Sequence, residues 1–204
     1  LLLILFGLVY LLIVLASPLN MGIRYILSPL IIGIVLLARL ADIFWDASIL
    51  RMRFNRVLYG VLIVLLVLTM RVFPYFLSYY NYLGGGTKNG YTIAVDSNYD
   101  WGGQDIKQLA LWRDAHPDAQ LYGDLFFLAP LEFYLGPQYR YLRIESSGPL
   151  PPSSYVAVSA HEAMMKLFNP STQTAARHFM SQLTLVERIG TTIFLYKVAS
   201  AATN

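Results

Sequence analysis

The polar side chains best suited to chemistry lie in one stretch of the chain, residues 81–105. This stretch contains three successive glycines, an Asn-Gly pair, and acids and amides grouped around one tryptophan. Gly and Asn-Gly allow backbone conformations with positive φ, so the stretch can fold back and bring its polar groups together. They could then bind a lipid headgroup, a sugar or a phosphate; the alternative is an ordered linker. The side chains concerned are Asp96, Asn98, Asp100, Trp101, Gln104 and Asp105.

The carboxylates of this stretch have two interpretations. Asp96, Asp100 and Asp105 are close enough in sequence to hold a divalent cation or to act as general acid and base. Asp is also common in turns and caps, so Asp100, or a glycine after Trp101, could cap a helix that begins near Gln104, with Asp105 in its first turn. We favour the structural role. No metal ligand is therefore assigned, and a divalent cation remains the alternative cofactor.

Two cationic side chains are candidates for an anionic ligand. Arg24 precedes an apolar run, and a guanidinium there can bind a phosphate bidentately at the depth of lipid headgroups. The alternative is interfacial anchoring by Arg24 together with Tyr25. Lys88 follows the three glycines and could supply a second cation, although a simple solubilising role would also explain it.

Several other site types are excluded or not indicated by the sequence. The chain has no cysteine, which excludes disulfides and cysteine-bound zinc. Its formal net charge of +3 is too small to indicate nucleic-acid binding. His116, His161 and His178 lack metal-ligand spacing and are predicted to be surface or capping residues. No nucleophile elbow, P-loop or dinucleotide fingerprint occurs.

The elements before the polar stretch indicate a membrane region. Hydrophobic residues make up 56% of the chain and charged residues 13%, against about 25% charge in typical soluble domains. Three apolar segments, residues 1–16, 23–38 and 57–70, are each predicted to form a spanning helix. Each is somewhat shorter than the ~20 residues that a span usually needs, and flanking aromatic residues would extend them into the interfaces. The alternative is a soluble protein with three buried helices.

The distribution of arginine predicts the orientation of these helices. One arginine, Arg24, lies at the start of the second segment, next to the connection from the first, whereas several lie between the second and third. The positive-inside rule places the arginine-rich connection in the cytoplasm, so Arg24 and all residues after Arg71 are predicted to be extracytoplasmic. The arginines of that connection are Arg39, Arg51, Arg53 and Arg56.

The chain after residue 105 has the pattern of a small α/β domain. We predict helices over 104–116 and 161–168, a helical turn over 129–135, and strands over 121–128, 139–144 and 155–159, followed by a hairpin of strands 183–189 and 192–198 around Gly190. The predicted fold is therefore three transmembrane α-helices in residues 1–80, a polar interfacial loop in 81–105, and an extracytoplasmic α/β domain in 106–204.

Residues 20 to 112 also carry a pattern shared with a known family. Arg24-Tyr25-Ile26-Leu27 at the entry to an apolar segment, followed by Tyr80-Asn81, Gly84-Gly85, Asn89-Gly90 and Asp96-Ser97-Asn98-Tyr99-Asp100-Trp101-Gly102, resembles bacterial polytopic glycosyltransferases of the GT-C type. These are the enzymes related to protein O-mannosyltransferases and to the aminoarabinose transferases of lipid A. The chain departs from the pattern at two positions: Gly103 is an extra residue before Gln104-Asp105, and Pro29 follows Leu27-Ser28 rather than Leu27 directly.

The resemblance implies an integral protein of the bacterial plasma membrane that crosses it several times. It would transfer a sugar from a polyprenyl-phosphate donor to a glycan, lipid or protein acceptor outside the cytoplasm, with membrane lipids as its surroundings and no nucleic acid as a partner. By the same resemblance, Arg24 would help to hold the donor phosphate. The catalytic acid of the family lies in an earlier outer loop. We therefore expect this sequence to be a C-terminal piece without a catalytic residue, inactive alone.

Two other functions remain open at this point. A non-enzymatic, membrane-anchored binding or assembly module would have the same topology, with the polar stretch as a recognition surface. A metal-dependent transferase that uses Asp96 and Asp100 directly would depend on a divalent cation. Upstream sequence with further spans and an acidic pair in the first outer loop would favour the lipid-carrier transferase.

Overall fold

The chain forms two compact units in a computed structural model that describes residues 2–17, 23–44, 48–93, 99–100, 103–127 and 130–199. The first unit is Leu1–Phe73 and the second is Pro74–Asn204. We describe each unit by itself.

In its described residues, the first unit contains three α-helices: α1 (Leu2–Ala16), α2 (Leu27–Phe44), which follows a 3-10 turn (Ile23–Ile26), and α3 (Ser48–Val72). The predicted helices are confirmed in all three apolar segments. Many of their leucine, isoleucine and valine side chains are exposed, which is unfavourable in water. Gly7 of α1 is buried, and the side chain of Ile32 lies against the place where a Cβ would be.

One of these helices is long and apolar enough to cross a membrane. It is α3. Its residues Asn55–Val72 have a mean hydropathy of 1.8, and none of them is buried. Helix α1 and the apolar part of α2, Leu27–Arg39, are shorter. At 1.5 Å per residue, the 15 residues of α1 extend about 22 Å, against about 30 Å of hydrocarbon. The prediction of three spanning helices is therefore not confirmed for α1 and α2.

The second unit is built on a five-stranded mixed sheet, which confirms the predicted α/β class. The strands are β1 (Leu121–Asp124), β2 (Tyr139–Tyr141), β3 (Tyr155–Ser159), β4 (Leu183–Ile189) and β5 (Ile193–Val198). Their order is β2-β1-β3-β5-β4. The first three are parallel, whereas β5 pairs antiparallel with both β3 and β4.

Helices cover both faces of this sheet. Successive side chains of a strand point to opposite faces, so Ala157 of β3 joins one core while Val156 and Val158 join the other. Helices α5 (Ile106–Ala115) and α6 (Leu131–Leu135) contribute Ile106, Leu109 and Leu135 to the first core. Helices α7 (Ala160–Phe168) and α8 (Gln173–Ser181) contribute Ala163, Ala176 and Phe179 to the second.

The predicted elements of this unit are largely confirmed, with shifted ends. The strand predicted over 139–144 ends at Tyr141, because the Ile144 backbone N–H donates to the Asp124 side chain, 2.9 Å away. Strand β1 also stops at Asp124, short of the predicted 128. Helix α8 was not predicted.

The segment before α5 is more ordered than a loop. It contains 3-10 turns at Phe76–Ser78, Tyr82–Gly84 and Gly90–Thr92, and the four-residue helix α4 (Gly86–Asn89). An aromatic cluster fixes it to the sheet: the buried Tyr99 packs with Ala160 and Phe194, and Tyr80 and Tyr91 pack against them.

Candidate functional site

Asp105 joins the polar stretch to the tip of the β4–β5 hairpin. Its Oδ2 accepts hydrogen bonds from the backbone N–H groups of Thr191 and Thr192, both at 2.7 Å. The same oxygen accepts from the hydroxyls of Thr192 at 2.7 Å and Thr191 at 3.3 Å. Asp105 occupies the N-cap position of α5, but its side chain makes no cap bond there. Asp105 therefore lies at the start of α5 as predicted, but the donors that hold its side chain belong to the hairpin.

Asp100 caps a helix other than the predicted one. Its Oδ2 accepts from the His161 backbone N–H at 3.1 Å, at the start of α7, and the Ser159 hydroxyl also bonds it. The N-terminus of α7 favours a negative charge there. Burial nevertheless raises the pKa of Asp100 to about 6, although the hydrogen bonds from His161 and Ser159 lower it in part. Asp100 therefore connects the polar stretch to α7 and not to α5.

Tyr99 places a hydroxyl among three partners. Its oxygen lies 3.0 Å from the Thr87 carbonyl and 2.9 Å from the Thr191 carbonyl, and it accepts from Arg188 Nη2 at 2.6 Å. Burial, the dominant effect, raises the pKa of Tyr99 to about 12, while the nearby Arg188 charge lowers it. The hydroxyl is therefore neutral at physiological pH.

Arg188 of β4 joins three parts of this region. Its guanidinium donates to the backbone carbonyls of Thr191 and Lys88 and lies over the rings of Tyr91 and Phe194. It therefore connects the hairpin to α4 as well as to Tyr99. We call the whole set the hairpin anchor: Ser78, Tyr99, Asp100, Gln104, Asp105, Arg188, Thr191 and Thr192.

Gln104 and Ser78 complete the hairpin anchor. Gln104 Nε2 donates to the Tyr99 carbonyl at 2.9 Å and to Ser78 Oγ at 3.3 Å. Ser78 is buried, and its Oγ accepts from the Thr191 hydroxyl at 2.9 Å. The extra residue Gly103 therefore does not remove Gln104 or Asp105 from the network.

Two glycines are required for this packing. Gly103 has φ +101°, and a Cβ there would collide with the ring of Phe127. Gly190 has φ +60°, and a Cβ there would collide with the Asp105 carboxylate. Glycine alone combines positive φ at low cost with so close an approach.

The other predicted site residues lie elsewhere or outside the described residues. Arg24 and Tyr25 belong to the 3-10 turn of the first unit. Lys88 is an exposed residue of α4 whose backbone carbonyl accepts from Arg188. Their predicted substrate roles stay predictions. Three predicted residues lie outside the described part of the chain: Asp96, Asn98 and Trp101.

The arrangement favours a structural role for the described carboxylates. Within the residues that the structure describes, no three histidine or acidic side chains are grouped so that they could hold a metal ion. Asp100 and Asp105 each use Oδ2 to accept backbone N–H groups of distant elements. This geometry fixes Tyr99, Asp100, Gln104 and Asp105 of the polar stretch on the α/β unit.

A second buried polar group, the lysine cluster, lies at the carboxyl end of β1. Lys166 Nζ contacts Asp124, and also Glu145 at 3.0 Å and Glu162 at 3.1 Å. Burial, the largest effect, raises the pKa of Asp124, although Lys166 and the Ile144 N–H lower it in part. The sequence analysis did not identify this cluster; its one local signal was the four-residue spacing of Glu162 and Lys166.

His161 is not a free surface histidine. Its ring stacks on Phe126 with centroids 4.3 Å apart, and burial lowers its pKa. The neutral imidazole is thus favoured beside Asp100 and Ser159, at the carboxyl ends of β1 and β3. In open α/β sheets, ligands bind preferentially at this edge.

A groove of about 590 Å³ lies at the opposite edge, where β1 and β3 begin. Its lining combines an aromatic face with charged and hydroxyl groups, including His116, Asp118, Ser153, Tyr155 and Lys197. The Lys197 amine lies over the Tyr155 ring, 5.5 Å from its centroid.

Comparisons with protein-family models, with curated proteins and with solved structures found no match to this chain. The geometry of the described residues must therefore carry any functional argument.

Proposed function

We propose that this chain is part of an integral-membrane glycosyltransferase that moves a sugar from a polyprenyl-phosphate donor to an extracytoplasmic acceptor. The observation that carries the proposal is the hairpin anchor. The segment with the glycosyltransferase-like pattern leads from the apolar helix α3 into the α/β unit, and its residues Tyr99, Asp100 and Asp105 are buried in that unit.

In this proposal, α1, α2 and α3 are all membrane spans of a bacterial plasma-membrane protein, and the second unit is extracytoplasmic. The two shorter helices would use adjoining interfacial residues to complete their spans. Arg24 and Tyr25 would bind the donor phosphate. The hairpin anchor would position the polar stretch, and no residue of this chain is assigned the catalytic role.

The proposal is tested by sugar transfer from a polyprenyl-phosphate sugar, measured with the full-length protein in lipid. We expect Arg24→Ala to lower the transfer rate by about 10- to 100-fold, since a hydrogen bond to a charged group contributes about 1.5–3 kcal/mol. Loss of a phosphate contact made in the bound donor should appear mainly as a higher KM for the donor.

The matched control is Arg56→Ala. Arg56 is an exposed residue of α3 and is predicted to lie at the cytoplasmic end of that helix. Its replacement should leave transfer unchanged. Equal transfer by wild type and Arg24→Ala would remove Arg24 from the site. Absence of transfer in the full-length protein, with retained binding of a partner, would instead favour the membrane-anchored binding module.

A further inference from the structure

One segment of the second unit exposes large apolar side chains beside residues that hold it in place. Leu77 is 66% exposed, Tyr82 78% and Leu83 94%, and Tyr79 is also exposed. Ser78, between Leu77 and Tyr79, is buried in the hairpin anchor. The backbone here is fixed by the 3-10 turns Phe76–Ser78 and Tyr82–Gly84, so the exposure belongs to ordered structure.

Leu83 is the most exposed of these four residues, and it lies in the second turn, Tyr82–Gly84. Asn81 accepts the Gly84 N–H at 2.7 Å through its side chain, which closes the turn. The closed turn presents Tyr82 and Leu83 outward. Exposing a leucine almost completely at the tip of an ordered turn is unfavourable in water, so a partner that removes it from water is expected.

The charge pattern and the chain connection identify the partner. No charged residue lies between Arg71 and Lys88. The candidate membrane helix ends at Val72, so these turns follow it within a few residues. Tyrosines beside leucine are typical of the interface between hydrocarbon and headgroups.

We propose that residues 77–83 form a membrane-docking surface, defined by Leu77, Tyr79, Tyr82 and Leu83, that inserts into the headgroup region of the bilayer. This inference rests on the membrane assignment of α3 in the proposed function, but not on the transferase activity. Its consequence is that the second unit contacts the bilayer through its own side chains, in addition to its covalent link to α3.

The experiment uses the absence of cysteine from the chain. A single cysteine is introduced as Leu83→Cys and labelled with an environment-sensitive fluorophore, and the whole chain is placed in nanodiscs of phosphatidylcholine and phosphatidylglycerol. We expect blue-shifted emission, strong quenching by lipids spin-labelled near the headgroup, and protection from aqueous iodide.

Labelled cysteines at two further positions distinguish the possible results. Phe168→Cys is the matched control, because Phe168 is a 70% exposed apolar residue of the same unit that lies outside the docking surface. Its probe should be quenched by iodide and not by lipid. Ile63→Cys, in α3, should be quenched most by spin labels deep in the hydrocarbon.

A Leu83 probe that is quenched by iodide like the Phe168 probe, while the Ile63 probe lies in lipid, overturns the docking surface and leaves the membrane assignment intact. An aqueous Ile63 probe overturns both. A Leu83 probe protected from iodide but not quenched by lipid also overturns the proposal, since a protein would then cover the surface. The measurement is repeated with Tyr82→Cys, because Tyr82 is the exposed residue next to Leu83.

Discussion

The hairpin anchor and the lysine cluster bury carboxylates in two different ways. In the anchor, Asp105 is held by two backbone N–H groups and the Thr192 hydroxyl, all of them neutral. In the lysine cluster, Asp124 is compensated by the charge of Lys166 and one backbone N–H. The anchor therefore depends on the geometry of a turn, whereas the cluster depends on the balance of charge.

The largest loss of stability is expected for Asp105→Ala, which removes the carboxylate from the hairpin anchor. The substitution leaves the Thr191 and Thr192 backbone N–H groups and the Thr192 hydroxyl without their acceptor, whereas the Thr191 hydroxyl still donates to Ser78 Oγ. Each buried unsatisfied group costs about 1–3 kcal/mol. We expect a loss of about 4–6 kcal/mol in the free energy of unfolding of the second unit. Chemical unfolding of the whole chain in detergent, followed by backbone circular dichroism and by tryptophan fluorescence, to which Trp112 of α5 contributes, measures it.

Asp105→Asn is the control for that prediction. The amide keeps one oxygen that can accept from Thr191 and Thr192, so most of the stability should remain. Equal losses for the two variants would contradict a turn held by neutral donors and would indicate that the negative charge itself is required.

The second-largest loss of stability is expected in the lysine cluster. Lys166→Met removes the cation and leaves Asp124 buried with two neighbouring glutamates, which should cost about 3–5 kcal/mol, as for other broken buried ion pairs. Adding Asp124→Asn should restore part of that loss because the uncompensated charge is gone. The same unfolding measurement on single and double variants gives the coupling between the two residues.

Glu162→Gln is the matched control at the edge of the lysine cluster. Glu162 is partly exposed, and its side chain bonds the same amine at 3.1 Å. We expect a change of less than about 1 kcal/mol, in the range of exposed ion pairs. A loss as large as that of Lys166→Met would show that no single carboxylate dominates the cluster.

After the losses expected for Asp105→Ala and Lys166→Met, the next expected effect is a pH dependence from Asp100. Its pKa is raised to about 6 from 3.8 in the folded chain, so the folded state binds more protons than the unfolded state between those values. Stability should therefore fall as pH rises from about 4 to 6, by up to about 3 kcal/mol, and this contribution should be constant above that range.

Asp100→Asn keeps an acceptor for the His161 N–H and removes the titrating group. The difference in stability between wild type and this variant, followed from pH 4 to 7, isolates the contribution of Asp100. A difference that does not change with pH would contradict the burial of an ionisable carboxyl at the start of α7.

The sequence alone predicted much of the fold. The apolar runs of residues 1–16, 23–38 and 57–70 identified the three helices of the first unit, because a continuous aliphatic run leaves few alternatives. The alternating and helical patterns after residue 105 identified every strand and the Gly190 hairpin. Helix α8 was not predicted, since Gln173–Ser181 is mostly polar and buries only Ala176 and Phe179.

The tertiary structure decided what the polar residues do. Asp100 and Asp105 have the local sequence context of caps for α5, yet their partners are residues 61 and 86 positions away. The lysine cluster joins Asp124, Glu145 and Lys166 only because β1 and α7 meet at one edge of the sheet. Spacing along the chain determines which helices and strands form, whereas the partners of buried charges depend on contacts between distant segments, which only the folded chain creates.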